Sequence, residues 1–103
     1  MDHSLVYVTT SDRKESKRIA ESLVGERLAA CANIFPVESV CRWEEKIVEE
    51  EEDAMIIKTR TELVDKVVER IKVLHSYEVP EIISMRIEKG HARFLKWIEE
   101  STG

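Results

Sequence analysis

The sequence contains few residues that interrupt secondary structure and few of the types that mark secreted or membrane proteins. Its 103 residues include three glycines, two prolines, two cysteines and three histidines. So few glycines and prolines argue against a flexible linker, and no apolar run reaches the roughly 18 residues of a membrane-spanning helix. Two cysteines without a secretory signal pattern predict free thiols and a cytoplasmic location, with no membrane partner.

Motifs of common enzyme classes are also missing. The chain has no Ser-His-Asp order, no HExxH, no phosphate-binding P-loop and no GxGxxG pattern. We therefore predict that the protein is not an enzyme and has no catalytic residues.

Composition indicates one folded, acidic domain. Hydrophobic residues make up 43% of the chain and charged residues 36%, which is typical of a globular protein. A chain of this length fits a single domain, predicted over residues 1–103. The 16 basic and 21 acidic residues give a net charge of −5, which argues against binding to a nucleic-acid backbone.

Hydrophobic periodicity predicts an α+β fold in the order β-α-β-β-α-β-α. This order indicates a ferredoxin-like βαββαβ sandwich with an additional C-terminal helix. Two capping-box patterns, Asp12 with Glu15 and Thr59 with Glu62, predict where the first two helices begin. The predicted elements are a strand at 5–10, a helix at about 12–25, a strand at 28–43, a return strand at 47–58 interrupted at 49–53, a helix at about 60–75, a strand at 81–87 and a helix around 94–98.

The second and third strands predict an unusually long β-hairpin. Arms of about 12 to 15 residues would span roughly 40 to 50 Å, whereas a compact domain of this size is on the order of 35 Å across. The hairpin should therefore project from the domain and expose the apolar residues Val40, Trp43, Ile47 and Val48. Exposed apolar surface on unpaired strands predicts a homo-oligomer.

The hairpin region also carries acidic residues and cysteines that raise the question of a metal site. Residues 44 to 53 include seven acidic side chains, which suit either a hard-cation site or a solvated strand edge. We favour the solvated edge, because consecutive strand residues diverge. Cys31 and Cys41 lie about 33 Å apart if one strand carries both, so they cannot form a disulfide within the chain. Cys31 is then either a small hydrophobic residue or a soft metal ligand.

A short loop before Pro80 contains His75, Tyr77 and Glu78. Loops over a rigid sheet often hold binding residues. The alternative is structural, with His75 at a helix C-terminus and Tyr77 packed as a cover.

Five segments together carry a recognisable family pattern. They are VTTSDRKESKRIAESLVGERLAAC near the start, RLAACANIFPVESVCRW at 27–43, IKT at 57–59, HSYEVPEII at 75–83 and FLKWIEES at 94–101. These segments resemble the CutA divalent-cation tolerance proteins, and the resemblance covers nearly the whole chain. It implies a ferredoxin-like fold, a cytoplasmic homotrimer with strands joined across subunits, and a role in tolerance of copper and other heavy metals.

The resemblance also assigns roles to single residues. Cys31 matches the thiol that the family most often links to copper. The residues that match a cleft between subunits are Trp43, Lys58, His75, Tyr77 and Glu78.

This sequence departs from the family pattern at several positions. Val8 and Arg70 stand where some members have further thiols, which weakens a multi-cysteine copper site. Cys41 replaces a usual aromatic residue, Glu45 a usual turn glycine and Ser76 a usual proline.

Two main hypotheses follow. In the first, a trimer binds copper or another divalent cation through Cys31, His75 and Glu78 at a subunit interface, with no obligatory cofactor. In the second, a PII-like regulatory module uses intersubunit clefts containing Trp43, Lys58 and Tyr77 to bind a small anionic metabolite or a partner protein. A third reading is a trimer that only scaffolds other proteins.

Overall fold

The computed structural model describes all 103 residues of the chain. Four strands and three α-helices alternate in the predicted order, and a short 3₁₀ turn precedes the second helix. The elements are β1 (His3–Thr10), α1 (Arg13–Gly25), β2 (Cys31–Trp43), β3 (Lys46–Arg60), the 3₁₀ turn (Thr61–Leu63), α2 (Val64–Leu74), β4 (Ile82–Ile87) and α3 (Ala92–Ser101).

The four strands form one antiparallel sheet in the order β2-β3-β1-β4. This order places β3 and β1 in the centre and confirms the predicted ferredoxin-like βαββαβ arrangement with an added C-terminal helix. The edges are β2, which is 13 residues long, and β4, which has six residues.

Helices α1 and α2 cover one face of the sheet. Alternate residues of the central strands, such as Val6 and Ile57, are completely buried against Leu23 of α1 and Ile71 of α2. The opposite face is covered only at one end, where α3 packs over the start of β1. There Ile98 is buried, and His3 Nε2 lies 2.9 Å from Glu99 Oε2. None of the three helices has the length and apolar character needed to cross a membrane.

The β2–β3 hairpin gives the molecule its elongated shape. Its ladder runs without a break from Cys31 opposite Lys58 to Trp43 opposite Lys46, and the longest dimension of the chain is 44 Å. The predicted length is confirmed. The predicted interruption at residues 49–53 is wrong, because those acidic residues alternate between the two faces and keep their backbone pairing.

The hairpin turns through two residues in the left-handed region. Glu44 has φ +49° and Glu45 has φ +67°, as a two-residue type I′ turn requires. Glycine or asparagine adopts this conformation at lower cost than glutamate. Glu45 therefore strains the position at which the resemblance led us to expect glycine.

The first capping prediction is confirmed and the second is wrong. Asp12 Oδ1 accepts a hydrogen bond from the Glu15 backbone N–H at 2.8 Å, which caps α1. Thr59 instead donates its hydroxyl to the Leu28 carbonyl at 2.6 Å, and α2 has no side-chain cap. Strand β2 begins at Cys31, later than predicted, because the backbone N–H groups of Leu28 and Ala29 still bond to the end of α1.

Candidate functional site

A groove of about 400 Å³ lies on the face of the sheet away from α1 and α2, between the hairpin and the loop that precedes β4. One wall comes from β2 and β3 and the other from the loop of residues 77–81. The lining residues are Thr9, Ser39, Cys41, Trp43, Val48, Glu50, Glu52, Tyr77, Glu78, Val79 and Glu81.

The hairpin wall follows from strand alternation. Cys41 pairs with Val48 across the ladder, so both side chains point to the same face. Every second residue on each strand joins them, which brings Glu50 and Glu52 of the acidic run into the groove. The intervening acidic residues face the other side, where Asp53 is buried and bonds to Arg13 at 3.0 Å.

The groove is strongly acidic. Four carboxylates line it, and no lysine or arginine does. The four are Glu50, Glu52, Glu78 and Glu81. Like charges gathered around one cavity repel each other, so the groove favours a positively charged occupant.

His75 fixes the beginning of the loop wall. Its Nε2 lies 2.7 Å from the Thr9 carbonyl oxygen, and its Nδ1 accepts the Tyr77 backbone N–H at 3.0 Å. A carbonyl oxygen can only accept, so Nε2 carries the proton and the neutral ring uses both nitrogens within the chain. The Tyr77 ring packs beside it with centroids 4.8 Å apart.

Glu15 ties this loop to the end of β1. Its Oε2 accepts the Ser76 backbone N–H at 2.7 Å, and its Oε1 accepts both the backbone N–H and the hydroxyl of Ser11 at 3.0 Å. Burial by itself would raise the pKa of this carboxyl, but hydrogen bonds from Ser11 and Ser76 outweigh burial and lower the pKa to about 2. Glu15 is therefore a charged, buried side chain that joins two loops by hydrogen bonds.

Tyr77 links the two walls of the groove. Its hydroxyl donates a hydrogen bond to Glu52 Oε2 at 2.8 Å. Burial, followed by the hydrogen bond and negative charge of Glu52, raises the pKa of Tyr77 well above its usual range. The hydroxyl therefore stays protonated and keeps donating to the carboxylate.

The structure brings together some of the residues predicted for the site and separates others. Trp43, Tyr77 and Glu78 line the groove, and the side chain of His75 supports its loop from outside the lining. Cys31 and Lys58 pair with each other further along the sheet, where Lys58 Nζ donates to Cys31 Sγ at 3.9 Å.

The predicted metal trio is not assembled within one chain. Cys31 lies four strand positions from the level of Thr9, or about 13 Å along the sheet. His75 already uses both ring nitrogens, and nowhere do three or more His, Cys, Asp or Glu side chains form a group that could hold a metal ion. A site shared between subunits stays a prediction.

Sequence reasoning did not single out Glu81, which lines the groove, or Glu15, which holds its loop. It interpreted the acidic run that contains Glu50 and Glu52 as a solvated edge, whereas these two side chains line the groove beside Cys41. A regular alternation through residues 48–52 was the signal that could have placed Glu50 and Glu52 beside Cys41. No local signal marks Glu15, because its partner Ser76 is 61 positions away.

Comparison with known proteins gives a consistent result. The family model of the CutA1 divalent ion tolerance protein matches residues 4–101. The chain is 44% identical over 99 residues to the rice (Oryza sativa) protein CutA 1, chloroplastic, covering 95% of this chain and 56% of the rice protein. It is also 44% identical to the divalent-cation tolerance protein CutA of Archaeoglobus fulgidus, covering 96% of this chain and 97% of that protein.

Solved structures share the fold. The crystal structure of CutA1 from Oryza sativa superposes with a TM-score of 0.97 at 42% identity, covering all of this chain and 95% of that one. The A. fulgidus structure, described as a periplasmic divalent cation tolerance protein, has a TM-score of 0.94 at 44% identity, covering 96% and 97% of the two chains.

Proposed function

The chain belongs to the CutA1 divalent ion tolerance family, and from this premise we propose that it binds divalent metal ions, copper among them, as a cytoplasmic homotrimer. Its relatives are named for tolerance of divalent cations and not for a catalysed reaction, and we propose no enzymatic activity. The observation that supports cation binding is the groove with four carboxylates and no basic side chain.

The groove chemistry suits a divalent cation. Carboxylate oxygens are favourable ligands for hard cations, and the Cys41 thiol adds a soft ligand of the kind that copper accepts. Glu78 is exposed at the rim of the groove and hydrogen-bonds to no other side chain, so it is free to coordinate an ion.

We place the metal between subunits, because one chain does not assemble three ligands. Cys31 of a neighbouring subunit is then the predicted soft ligand. His75 can join only if it gives up one of its two hydrogen bonds, which makes it the weakest member of the predicted trio.

Exposed apolar surface supports self-association. Ile83 and Met85 of the edge strand β4 are 53% and 49% exposed on the side of the sheet that α1 and α2 leave open. Trp43 at the end of the hairpin is 59% exposed. Surfaces of this kind usually mark protein interfaces.

An anionic metabolite in the same groove is less favourable. Lys58 is the only lysine or arginine among the predicted cleft residues, and it lies outside the lining. Four carboxylates would repel an anion unless a neighbouring subunit supplied positive charge.

Calorimetric titration with Cu²⁺ tests the metal proposal. We expect Glu78→Gln and Cys31→Ser each to weaken copper binding by roughly tenfold or more, since loss of even a supporting partner of a metal ligand often costs that much. Glu88→Gln, an exposed carboxylate outside the groove, is the matched control and should bind like the unmodified protein. Identical affinity and stoichiometry in all three variants would exclude this site.

A further inference from the structure

The floor of the groove contains a polar group whose hydrogen-bonding capacity the chain does not use. Thr9 lies on the central strand β1, between the hairpin wall and the loop wall, and it is only 3% exposed. Its backbone carbonyl accepts a hydrogen bond from His75, but its hydroxyl forms none within the chain. The hydroxyl keeps its access to the groove, so a bound molecule can supply the missing partner.

The four carboxylates of the groove are spread over both of its walls. Glu50 and Glu52 are two positions apart on β3, or about 7 Å along the strand. Glu81 directly precedes β4, which lies two strands from β3 and so about 10 Å away across the sheet. No three acidic side chains converge closely enough to hold a metal ion. An occupant with several separated positive charges therefore matches this arrangement better than a single ion does.

The electrostatics of Tyr7 show that both walls act on the floor of the groove. Tyr7 lies two positions before Thr9, on the same face of β1. Burial raises the pKa of Tyr7, and the negative charges of Glu81 and Glu52 raise it further. A cation that lies over Thr9 is thus attracted from both sides.

Apolar surface lies between the carboxylates. Five of the eleven lining residues are apolar or aromatic, namely Cys41, Trp43, Val48, Tyr77 and Val79. A hydrated metal ion gains nothing from such surface, whereas a chain of methylene groups is stabilised by it. Aromatic rings also attract ammonium groups to their faces. The volume of about 400 Å³ suits a small organic ligand.

We propose that the groove binds a linear aliphatic diamine or polyamine. The ammonium groups pair with carboxylates of the two walls, and the methylene chain lies against Trp43 and Val79. The Thr9 hydroxyl accepts a hydrogen bond from one ammonium group, which has only donors to offer. This inference rests on the proposed binding of cations in the groove, and it adds an organic class of cation to the metal ions.

Calorimetric titration of the metal-free protein with three cations separates charge from apolar contact. Putrescine has two charges on a four-carbon chain, Mg²⁺ has the same charge without the chain, and butylamine has the chain with one charge. At fixed ionic strength, putrescine should bind roughly tenfold or more tightly than either of the others. Equal affinities for putrescine and Mg²⁺, or no binding of putrescine, would overturn the proposal.

A matched pair of substitutions on β3 locates the binding site. Glu50→Gln removes a carboxylate of the groove, whereas Glu51→Gln removes the next one, which is exposed on the other face of the strand. The first variant should bind putrescine roughly tenfold more weakly, because a hydrogen bond to a charged group is lost. The second should bind like the unmodified protein. Equal affinity in both variants would contradict binding in the groove.

A second pair of substitutions tests the hydroxyl at the floor. Thr9→Val keeps the shape of the side chain without its hydroxyl, and Thr9→Ser keeps the hydroxyl. Putrescine binding should weaken several-fold in Thr9→Val and stay close to normal in Thr9→Ser. Thermal unfolding without ligand shows whether both variants fold. Normal affinity in a folded Thr9→Val would contradict the assigned role of Thr9.

Copper titration of the same samples distinguishes this inference from the proposed metal function. Copper binding without putrescine binding overturns the inference and leaves the metal function intact. Putrescine binding without copper binding overturns the metal function and supports the inference. Binding of neither cation excludes the groove as a cation site.

Discussion

Replacing Glu15 with glutamine tests how the loop wall of the groove is held. Glutamine keeps the size of the side chain and one acceptor oxygen, but its other end is an NH₂ group. In the unmodified protein, the Glu15 carboxylate accepts a hydrogen bond from Ser11 at one oxygen and from Ser76 at the other. Glutamine cannot accept at both places, so one backbone N–H loses its partner and faces another donor.

The contribution of Glu15 to the free energy of unfolding can be estimated from its pKa. Lowering the pKa of Glu15 from 4.5 to about 2 corresponds to about 3 kcal/mol of folded-state stabilisation per chain. Because the folded-state pKa is depressed, this stabilisation is fully present above pH 4.5 and is lost as the pH falls toward 2. An unpaired buried donor in Glu15→Gln gives a similar estimate, about 1–3 kcal/mol.

Urea unfolding at fixed protein concentration, followed by circular dichroism at pH 7 and at steps down to pH 2.5, measures both effects. We expect Glu15→Gln to be less stable at pH 7 by about 2 to 3 kcal/mol and to lose less stability than the unmodified protein on acidification. Glu21→Gln, an exposed carboxylate on the same helix, controls for the loss of a negative charge. If Glu15→Gln and the unmodified protein were equally stable at pH 7, or lost stability in parallel on acidification, the role of Glu15 in holding the loop would be refuted.

Three further substitutions address the turn, the hairpin end and the groove. Glu45→Gly should raise stability by about 0.5 to 1 kcal/mol in thermal unfolding, because it relieves a left-handed glutamate; an unchanged or lower midpoint contradicts that strain. Trp43→Ala should weaken the trimer in sedimentation, whereas full assembly with unchanged heat stability would make Trp43 only a groove residue. Tyr77→Phe should cost about 1 kcal/mol in urea unfolding, because Glu52 loses its donor. In an alkaline absorbance titration the variant should lose the more strongly raised of the two tyrosine pKa values, since the pKa of Tyr7 is raised as well.

Much of the fold could be predicted because its signals are local. Asp12 caps α1 as its spacing to Glu15 predicted, and a short run of β-branched and aromatic residues identified β1. The interruption placed at 49–53 failed for a physical reason. Charged residues lower the β propensity of a segment, but the partner strand β2 supplies a complete hydrogen-bonding ladder that overrides this preference.

The site could be predicted only in part. Tyr77 and Glu78 could be predicted as binding residues because they lie in the short loop before Pro80. The hydrogen bond of Glu15 to Ser76 joins elements that are far apart in the chain. The same is true of Glu50 and Glu81, which line one groove. Periodicity assigns a residue to a face, but only the sheet order tells which loop lies over that face.

The sheet order β2-β3-β1-β4 has a consequence for synthesis on the ribosome. Strand β1 emerges first, yet its nearest partner residue, Asp53 opposite Thr10, follows more than 40 positions later, and β4 arrives only with residues 82–87. The hairpin is the only pair of strands with sequence-local contacts, so it is expected to form earliest. Before β1 has paired with β3 and β4, the acidic side chains of the hairpin repel the hairpins of neighbouring nascent chains.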